Sequence, residues 1–290
     1  MTARDRFGGY AFVLPFVSAY SFLLILPFIM GVWISFHKAD LFGSREWIGL
    51  DNYVRLFGDP VFYQAMGTTF MLALMIVPAL TIITMLLALA LNSATRSAAV
   101  FRGLFFSSSV LSVTIVTLIW RFVLTPDAGL IAKVLIAMGL EPIPFLSHPD
   151  LTVPAIAITT IWWGLGLPMM LFLAGLQQIP QDMYEAAALD RASRWTTFRN
   201  ITLPSLRRTT VLVVMLQTAA QLQIFGQAQL LTAGGPSGSS RPIVLYIYEI
   251  AFGRWELGYA VAAAEVLFVL VLLLTLGQYW FANRNEESSR

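Results

Sequence analysis

The side chains that usually carry catalysis or bind metals are scarce in this sequence of 290 residues. There is no cysteine, so disulfides, zinc–thiolate sites and thiol nucleophiles are excluded. The two histidines, His37 and His148, lie in different polar stretches, so a histidine metal site or a serine-hydrolase triad would depend on one of them. We therefore expect no metal site and no catalytic residue in this chain.

Groups that could bind a nucleotide are equally scarce. A phosphate-binding loop of the Walker type ends in glycine and lysine followed by serine or threonine. The two lysines, Lys38 and Lys133, are preceded by His37 and Ala132, so neither fits. The sequence therefore predicts that the chain binds no ATP through a motif of its own and carries no cofactor.

Glutamine side chains are the polar groups that recur at a regular spacing. Gln217, Gln221 and Ile224 follow one another at intervals of four and three, which places them on one face of a helix. Amides both donate and accept hydrogen bonds, so they suit the hydroxyl groups of a sugar. They are costly in lipid unless they face protein or a wet cavity. The alternative is that they form hydrogen-bonding contacts between helices.

Two further features lie in apolar segments. Trp163 and Gly164 are adjacent, and an indole face can stack on a sugar ring, although packing or lipid anchoring is the more usual role of tryptophan in such a segment. Glu265 is the one acid inside a predicted span, which makes it a candidate functional acid. A structural contact with a partner subunit is an equally good interpretation of Glu265.

The composition indicates where these groups lie. Hydrophobic residues make up 58% of the chain and charged residues 12%, with a mean hydropathy of +0.74 and a net charge of +2. A soluble domain would carry about a quarter charged residues, so much of this surface must face lipid. The small net charge offers no broad field for nucleic acid. We predict an all-α membrane protein with a single domain over residues 1–290.

Six apolar segments are long enough to cross a bilayer. They are approximately residues 10–36, 66–91, 103–124, 151–176, 209–232 and 258–281. The polar segments on one side hold the larger share of the arginines, including Arg191, Arg199 and Arg208, so that side is predicted to be cytoplasmic. Both termini then lie in the cytoplasm.

The loop between the fourth and fifth predicted spans, residues 177–208, has the pattern of a helical elbow. Pro180 suits the first turn of a helix, and the alanine-rich stretch after it favours helix formation. Ser193 can cap a second short helix, and Pro204 marks the entry to the fifth span. The alanines at 186–188 would let another protein approach closely, whereas the alternative is a plain amphipathic surface hairpin.

This elbow resembles the EAA loop of permease subunits in ABC importers. The family pattern is Glu-Ala-Ala, three residues, Gly, nine residues, then Ile-x-Leu-Pro, and the present chain matches it from Glu185 to residues 201–204. Arg191 replaces the usual glycine, which would adopt a left-handed backbone at lower cost. The resemblance implies a type I ABC-importer permease fold, with six transmembrane helices and a cytoplasmic coupling helix.

In that family the coupling helix docks on a separate ATPase. The residues implied as the coupling contact here are Glu185, Ala186, Ala187, Asp190, Arg191 and Ala192. ATP and Mg²⁺ would then be used by two ATPase subunits, and this chain would be a non-catalytic translocation subunit. The other implied partners are a second, non-identical permease, an extracytoplasmic solute-binding protein and membrane lipid, in the bacterial inner membrane.

Three other stretches resemble the sugar-uptake branch of the family, the maltose and glycerol-phosphate type. They are residues 47–53, 231–236 and 257–260. Counted back from the Gly-Gly-Pro of the second stretch, Gln217, Gln221 and Ile224 fall at sugar-contacting positions, and Trp163 and Gly164 complete the predicted solute pathway. Ile224 departs from the polar residue usual in the maltose case.

Two other function classes stay open on the sequence. One is a membrane-embedded enzyme, for which Asp182, Glu185 and Asp190 are the nearest candidates for a polar cluster, although no histidine or lysine joins them. The other is a membrane scaffold or sensor that transports nothing. Association with an ATPase would separate the permease from both.

Overall fold

The computed structural model describes residues 3–40, 42–126 and 128–287. Contacts between residues divide the chain into two compact units, one made of residues 1–62 and 246–270 and the other of residues 63–245 and 271–290. The single domain predicted over residues 1–290 stays a prediction, and it includes residues 1, 2, 41, 127 and 288–290, which lie outside the described residues.

The regular secondary structure of the described chain is helical apart from one short hairpin. In chain order the elements are α1 Ala3–Tyr20, α2 Leu26–Ser35, β1 His37–Ala39, β2 Arg45–Trp47, α3 Asp51–Phe57, α4 Pro60–Leu91, α5 Arg96–Ser108, α6 Val113–Leu124, α7 Leu130–Ala137, α8 Pro149–Trp163, α9 Gly166–Gln177, α10 Gln181–Leu189, α11 Arg194–Thr197, α12 Leu203–Ser205, α13 Arg207–Gln221, α14 Gly226–Leu231, α15 Ile243–Tyr248 and α16 Leu257–Glu287. Single π-helical turns join α1 to α2 and α11 to α12, and another follows α15.

Three stretches of unbroken helix in the described chain are long and apolar enough to cross a membrane. They are Phe12–Ser35, Pro60–Leu91 and Leu257–Ala282. They correspond to the first, second and sixth predicted spans, and each is 24 residues or longer. These lengths exceed the roughly 20 residues that a bilayer core requires.

The third and fourth predicted spans are not single straight helices. Residues 103–124 belong to α5 and α6, which meet at 97°, and residues 151–176 belong to α8 and α9, which meet at 48°. Ser112 caps α6 by accepting the Ile115 amide, which starts a new helix in a new direction. The second bend lies at Gly164, the C-cap of α8.

The fifth predicted span, residues 209–232, is also broken. It consists of α13 and α14, separated by Leu222–Phe225, and neither helix is long enough to cross a bilayer alone. Counting each of the two bent pairs as one span gives up to five spans in the described chain. The total of six therefore stays a prediction.

In the first unit, a two-stranded hairpin is fixed to the helices beside it. His37 of β1 pairs with Trp47 of β2 in an antiparallel register. The buried Asn52 amide of α3 donates to the carbonyl oxygens of Ser35 and His37 at 2.7 and 3.0 Å. Because Asn52 is buried, these bonds satisfy a group that would otherwise be costly to desolvate. The hairpin is thereby held against the end of α2.

A tyrosine–aspartate cluster closes the same unit. The hydroxyl groups of Tyr246 and Tyr259 donate to Asp59 Oδ2 at 2.7 and 3.1 Å, and the two hydroxyls lie 3.0 Å apart. Burial alone would raise the pKa of Asp59, but the hydrogen bonds from Tyr246 and the Val61 amide outweigh it and lower the pKa. The structure therefore stabilises the charged form of this carboxylate.

The second unit has two apolar cores along α4. Leu72, Ile76 and Leu80 pack with Val153 and Ile156 of α8 and with residues of the α13–α14 region. Further along α4, Ala88 packs with a second group in α9, α13 and the residue before α13: Met169, Phe172, Leu173, Leu176, Leu206 and Val213. These cores hold the broken helices in place around α4.

The end of α5 approaches α9 closely at Gly166. The Gly166 amide donates to Ser109 Oγ at 3.1 Å, and a Cβ atom added at Gly166 would lie 2.5 Å from that oxygen and 2.9 Å from Phe106 Cα. A side chain at this position would push the backbones apart. The glycine therefore brings the end of α5 against the start of α9.

Candidate functional site

The second unit contains a cavity of about 550 Å³ beside the breaks in the fourth and fifth predicted spans. The five residues predicted for the solute pathway all line it: Trp163, Gly164, Gln217, Gln221 and Ile224. The volume lies within the range of pockets that enclose small ligands. Residues from α8 and α13, which are about 50 positions apart in sequence, are thus brought to one space.

The amides of the cavity are held in place by short-range hydrogen bonds. Gln221 Nε2 donates to Gln217 Oε1 at 3.2 Å, as the interval of four predicts. Gln223 Nε2 donates to the Ala219 carbonyl at 3.0 Å. Each amide keeps a further donor or acceptor, so the pair can hydrogen-bond a ligand hydroxyl without losing its internal bond.

Trp163 is fixed at the wall of the cavity. Its Nε1 donates to the Leu111 carbonyl at 3.0 Å, and its own carbonyl accepts from Ser109 Oγ at 3.1 Å. The bond to Leu111 orients the indole, and the bond from Ser109 holds the backbone of Trp163 against the turn between α5 and α6. Fixing the ring in advance lowers the entropic cost of stacking a ligand on it.

Sequence reasoning missed several residues of the lining. They include Ser109, Val113, Thr160, Phe225 and Gln227. Ser109 ends a run of three serines in an apolar segment, which is a signal that could have been used. Val113 and Phe225 offered no such signal, because apolar residues in apolar segments look alike. None of the described residues that line this cavity has a charged side chain.

The predicted elbow is present as α10, a turn and α11. The Ala192 amide donates to the Ala187 carbonyl at 2.9 Å, and the Arg191 amide donates to the Ala188 carbonyl at 3.1 Å. This pair of bonds is the Schellman arrangement that ends a helix with a left-handed residue. Arg191 is that residue, with φ of 52°. The arginine therefore occupies the conformation for which the family uses glycine.

The two ends of the elbow are tied together by side chains. The Tyr184 hydroxyl lies 3.1 Å from Thr202 Oγ1, which joins α10 to the π-helical turn before α12. Ser193 caps α11 by accepting the Thr196 amide at 3.1 Å. Glu185 is exposed and accepts a hydrogen bond from Gln181 Nε2 at 2.9 Å. The elbow is thus an ordered hairpin of helices, with Glu185 on its exposed face.

One expectation about the alanines is wrong. Ala187 is 8% exposed, so its side chain packs inside the chain and does not offer a surface to a partner. Ala186 and Ala188 are exposed, as are Asp190 and Arg191. The helix must bury one face to stay attached, and the Tyr184–Thr202 contact turns the Ala187 side of it inward.

The sequence matches a family of membrane proteins over residues 59–287, which include both the cavity and the elbow. The family is described as the binding-protein-dependent transport system inner membrane component. The chain belongs to this family. Membership confirms the predictions of a permease and of a non-catalytic translocation subunit, so the enzyme and the scaffold are set aside.

Similar proteins support the same conclusion. The chain is 32% identical to the probable ABC transporter permease protein YesP of Bacillus subtilis, covering 98% of this chain and 94% of that protein. It is also 32% identical to the trehalose/maltose transport system permease protein MalF of Thermococcus litoralis, covering 94% and 92%.

A solved ABC transporter shares the fold. Crystal structures of a bacterial transporter that imports the acidic polysaccharide alginate, one in complex with alginate pentasaccharide-bound periplasmic protein, match at a TM-score of 0.87. The identity is 25%, over 97% of this chain and 96% of that one. The permease fold predicted from the elbow is therefore confirmed.

Glu265, the candidate acid in a predicted span, lies on α16 in the first unit. Its side chain is half-buried, and Oε1 would lie 3.3 Å from a Cβ atom placed on Gly31 of α2. The glycine leaves room for the carboxyl group between the two helices. Glu265 is not among the residues that line the cavity, and its function stays a prediction.

Proposed function

We propose that this permease imports an uncharged sugar through the cavity beside α13. The observation that supports this most directly is the lining itself, which combines an indole with glutamine amides and serine and threonine hydroxyls and contains no charged side chain. Hydroxyl-rich, neutral ligands fit such a surface because each hydroxyl finds a donor or acceptor. A carboxylate or phosphate would enter without a cation to offset its desolvation.

The relatives suggest two chemical classes of cargo, and the lining favours one. The Thermococcus protein is named for trehalose and maltose, which are neutral, whereas the solved transporter imports an acidic polysaccharide. An acidic sugar in this cavity would require a positive group from elsewhere. We therefore assign the neutral class to the present chain.

The proposed assembly follows from the family and from the elbow. Two ATPase subunits use ATP and Mg²⁺ and dock on the exposed face of α10, where Glu185, Ala186 and Asp190 are accessible. A second, non-identical permease completes the pathway, and an extracytoplasmic protein delivers the sugar. Both termini lie in the cytoplasm of the bacterial cell, because the arginine-rich segments are on their side of the membrane.

The test replaces the amides by side chains of similar size. Gln217→Leu and Gln221→Leu should each lower uptake of a neutral disaccharide by the assembled transporter in proteoliposomes about five- to hundredfold, because a site that loses a hydrogen-bonding partner leaves sugar hydroxyls unpaired. Gln229→Leu is the matched control, since Gln229 lies in the same segment but does not line this cavity.

Normal uptake by both variants would mean that the amides only hold helices together. The pathway would then lie elsewhere. Faster uptake of a uronate oligosaccharide than of any neutral sugar by the unmodified transporter would refute the assignment of a neutral cargo.

A further inference from the structure

One glutamine of the cavity beside α13 differs from the others in its hydrogen bonding. Four glutamines line this cavity: Gln217, Gln221, Gln223 and Gln227. The side chains of the first three each take part in a hydrogen bond within the chain, at 3.0 or 3.2 Å. Among the described residues, the Gln227 side chain has no hydrogen-bond partner. Its amide is therefore available to a group that does not belong to this chain.

The Gln227 side chain is nevertheless enclosed by the fold. The residue is only 7% exposed, yet neither its amide oxygen nor its amide nitrogen is completely cut off from solvent. Because Gln227 lines the cavity, the exposed surface of these two atoms opens into it. Leaving a buried amide unpaired lowers a folding or binding constant about five- to hundredfold, so an unpaired one in a native structure requires an explanation.

The backbone of Gln227 is held in place by its neighbours on both sides. Gly226 lies against α6, where an added Cβ atom would be 3.0 Å from Val113 Cγ2. Ala228 and Leu231 belong to the buried apolar core along α4. The short helix α14 cannot rotate without losing these contacts. It therefore presents the Gln227 amide to the cavity in a fixed position, which lowers the entropic cost of binding a ligand.

The Gln227 amide reaches the cavity from a different helix than the hydrogen-bonded pair Gln217–Gln221. That pair lies on α13, whereas Gln227 lies on α14, beyond the break at Leu222–Phe225. The helical register that places Gln217 and Gln221 on one face does not continue across this break. A ligand with several hydroxyl groups can therefore bond the pair through one hydroxyl and Gln227 through another.

We propose that Gln227 is a specificity-determining residue for the transported sugar. Its amide bonds one hydroxyl that the Gln217–Gln221 pair does not bond, so the permease favours sugars that carry this hydroxyl over sugars in which it is missing or methylated. A site built to hydrogen-bond a hydroxyl rejects an analogue without it far more strongly than an apolar site rejects an added hydroxyl. This inference rests on the proposed function, because it requires that a sugar occupies this cavity.

The test compares sugars that differ by a single hydroxyl group. The assembled transporter in proteoliposomes is supplied with its solute-binding protein and with maltose, trehalose or lactose. The sugar that enters fastest is then compared with each of its monodeoxy forms, and uptake is measured by mass spectrometry. The solute-binding protein is the same for every permease variant, so its own preference cancels when variants are compared.

Gln227→Leu should reduce the preference for the complete sugar at one hydroxyl position about five- to hundredfold and leave the preference at the other positions unchanged. Gln227→Met, whose side chain has a similar length but no amide, should give the same result. Gln229→Leu is the matched control, because it removes an amide two residues further along α14 that does not line this cavity. It should keep every preference of the unmodified transporter.

A second measurement requires no sugar. Because Gln227 makes no hydrogen bond with the described residues, Gln227→Leu should leave the thermal unfolding midpoint of the sugar-free transporter unchanged or raise it. A lower midpoint than that of Gln229→Leu would make Gln227 a structural residue and overturn the proposal.

The uptake results also separate this proposal from the proposed function. If Gln217→Leu and Gln221→Leu transport normally, the cavity is not the pathway and both proposals fail. If those two variants lose uptake while Gln227→Leu and Gln227→Met keep the hydroxyl preferences of the unmodified transporter, only the role of Gln227 is refuted.

Discussion

Arg191→Gly should stabilise the end of α10, the predicted coupling helix. Arg191 has φ of 52°, a left-handed conformation that costs a residue with a Cβ atom about 1–2 kcal/mol. Glycine adopts this conformation freely. It also gains more conformational entropy when the helix end opens, which offsets about 0.5–1 kcal/mol of the relieved strain. The net gain is therefore about 0.5–1 kcal/mol, or about a two- to fivefold lower opening constant for this turn.

Hydrogen exchange at two amides measures this change directly. The Arg191 and Ala192 amides donate to the Ala188 and Ala187 carbonyls, so they exchange only when the turn opens. Glycine at 191 should slow exchange at Ala192 about two- to fivefold, whereas Arg191→Ala should leave it unchanged because alanine keeps the Cβ atom. Equal protection by alanine and glycine would refute the argument from backbone strain.

The same two variants separate the backbone of Arg191 from its charge. Arg191 is exposed, so a guanidinium contact with the ATPase would be lost in both the alanine and the glycine variant. If only the turn matters, both variants keep the ATPase during purification at low and high salt. Loss of the ATPase from both, most visibly at low salt where surface attractions are strongest, would assign Arg191 to the interface.

Two further predictions concern the elbow surface and the tyrosine–aspartate cluster. Ala186→Trp on the exposed face of α10 should weaken co-purification of the ATPase about five- to hundredfold, because overpacking an interface costs about 1–3 kcal/mol. Ala94→Trp, at another exposed alanine, is the control and should retain the ATPase. If both variants retain the ATPase, the interface lies elsewhere. Because the pKa of Asp59 is lowered, its stabilising effect is present above its ordinary pKa and is lost as the pH falls through the lowered value. Tyr246→Phe removes one hydrogen-bond donor to Asp59, so the free energy of unfolding at neutral pH should fall by about 1–2 kcal/mol. Acidification should then lower the stability of the variant less than that of the unmodified protein. An unchanged pH dependence in thermal unfolding would contradict the role of this bond.

The shared face of Gln217 and Gln221 could be predicted because helical periodicity reports which side chains lie on one side of a helix. Gln217 and Gln221 are hydrogen-bonded to each other, as their interval requires. The resemblance of the elbow to a known loop added the partner class. Neither source could show that Trp163 would line the same cavity as these amides, since that depends on how α8 and α13 pack around α4.

The bends were not predictable from hydropathy, because apolar composition reports only the length of a segment. The 97° turn between α5 and α6 begins at a serine run that looks compatible with a straight span. The buried direction of Ala187 was also hidden, since three consecutive alanines have no polarity to distinguish their faces. It is the Tyr184–Thr202 contact, between residues 18 positions apart, that orients the helix.

The described residues that line the cavity beside α13 include no charged side chain, and this has an electrical consequence if a sugar passes through it. Moving one elementary charge through 100 mV costs or yields about 2.3 kcal/mol. A neutral sugar that passes a neutral lining transfers no charge in that step, so the membrane voltage neither drives nor opposes it. If the proposed function holds, ATP hydrolysis would drive sugar accumulation equally well with or without a membrane voltage. The transported sugar itself would carry no electrical current.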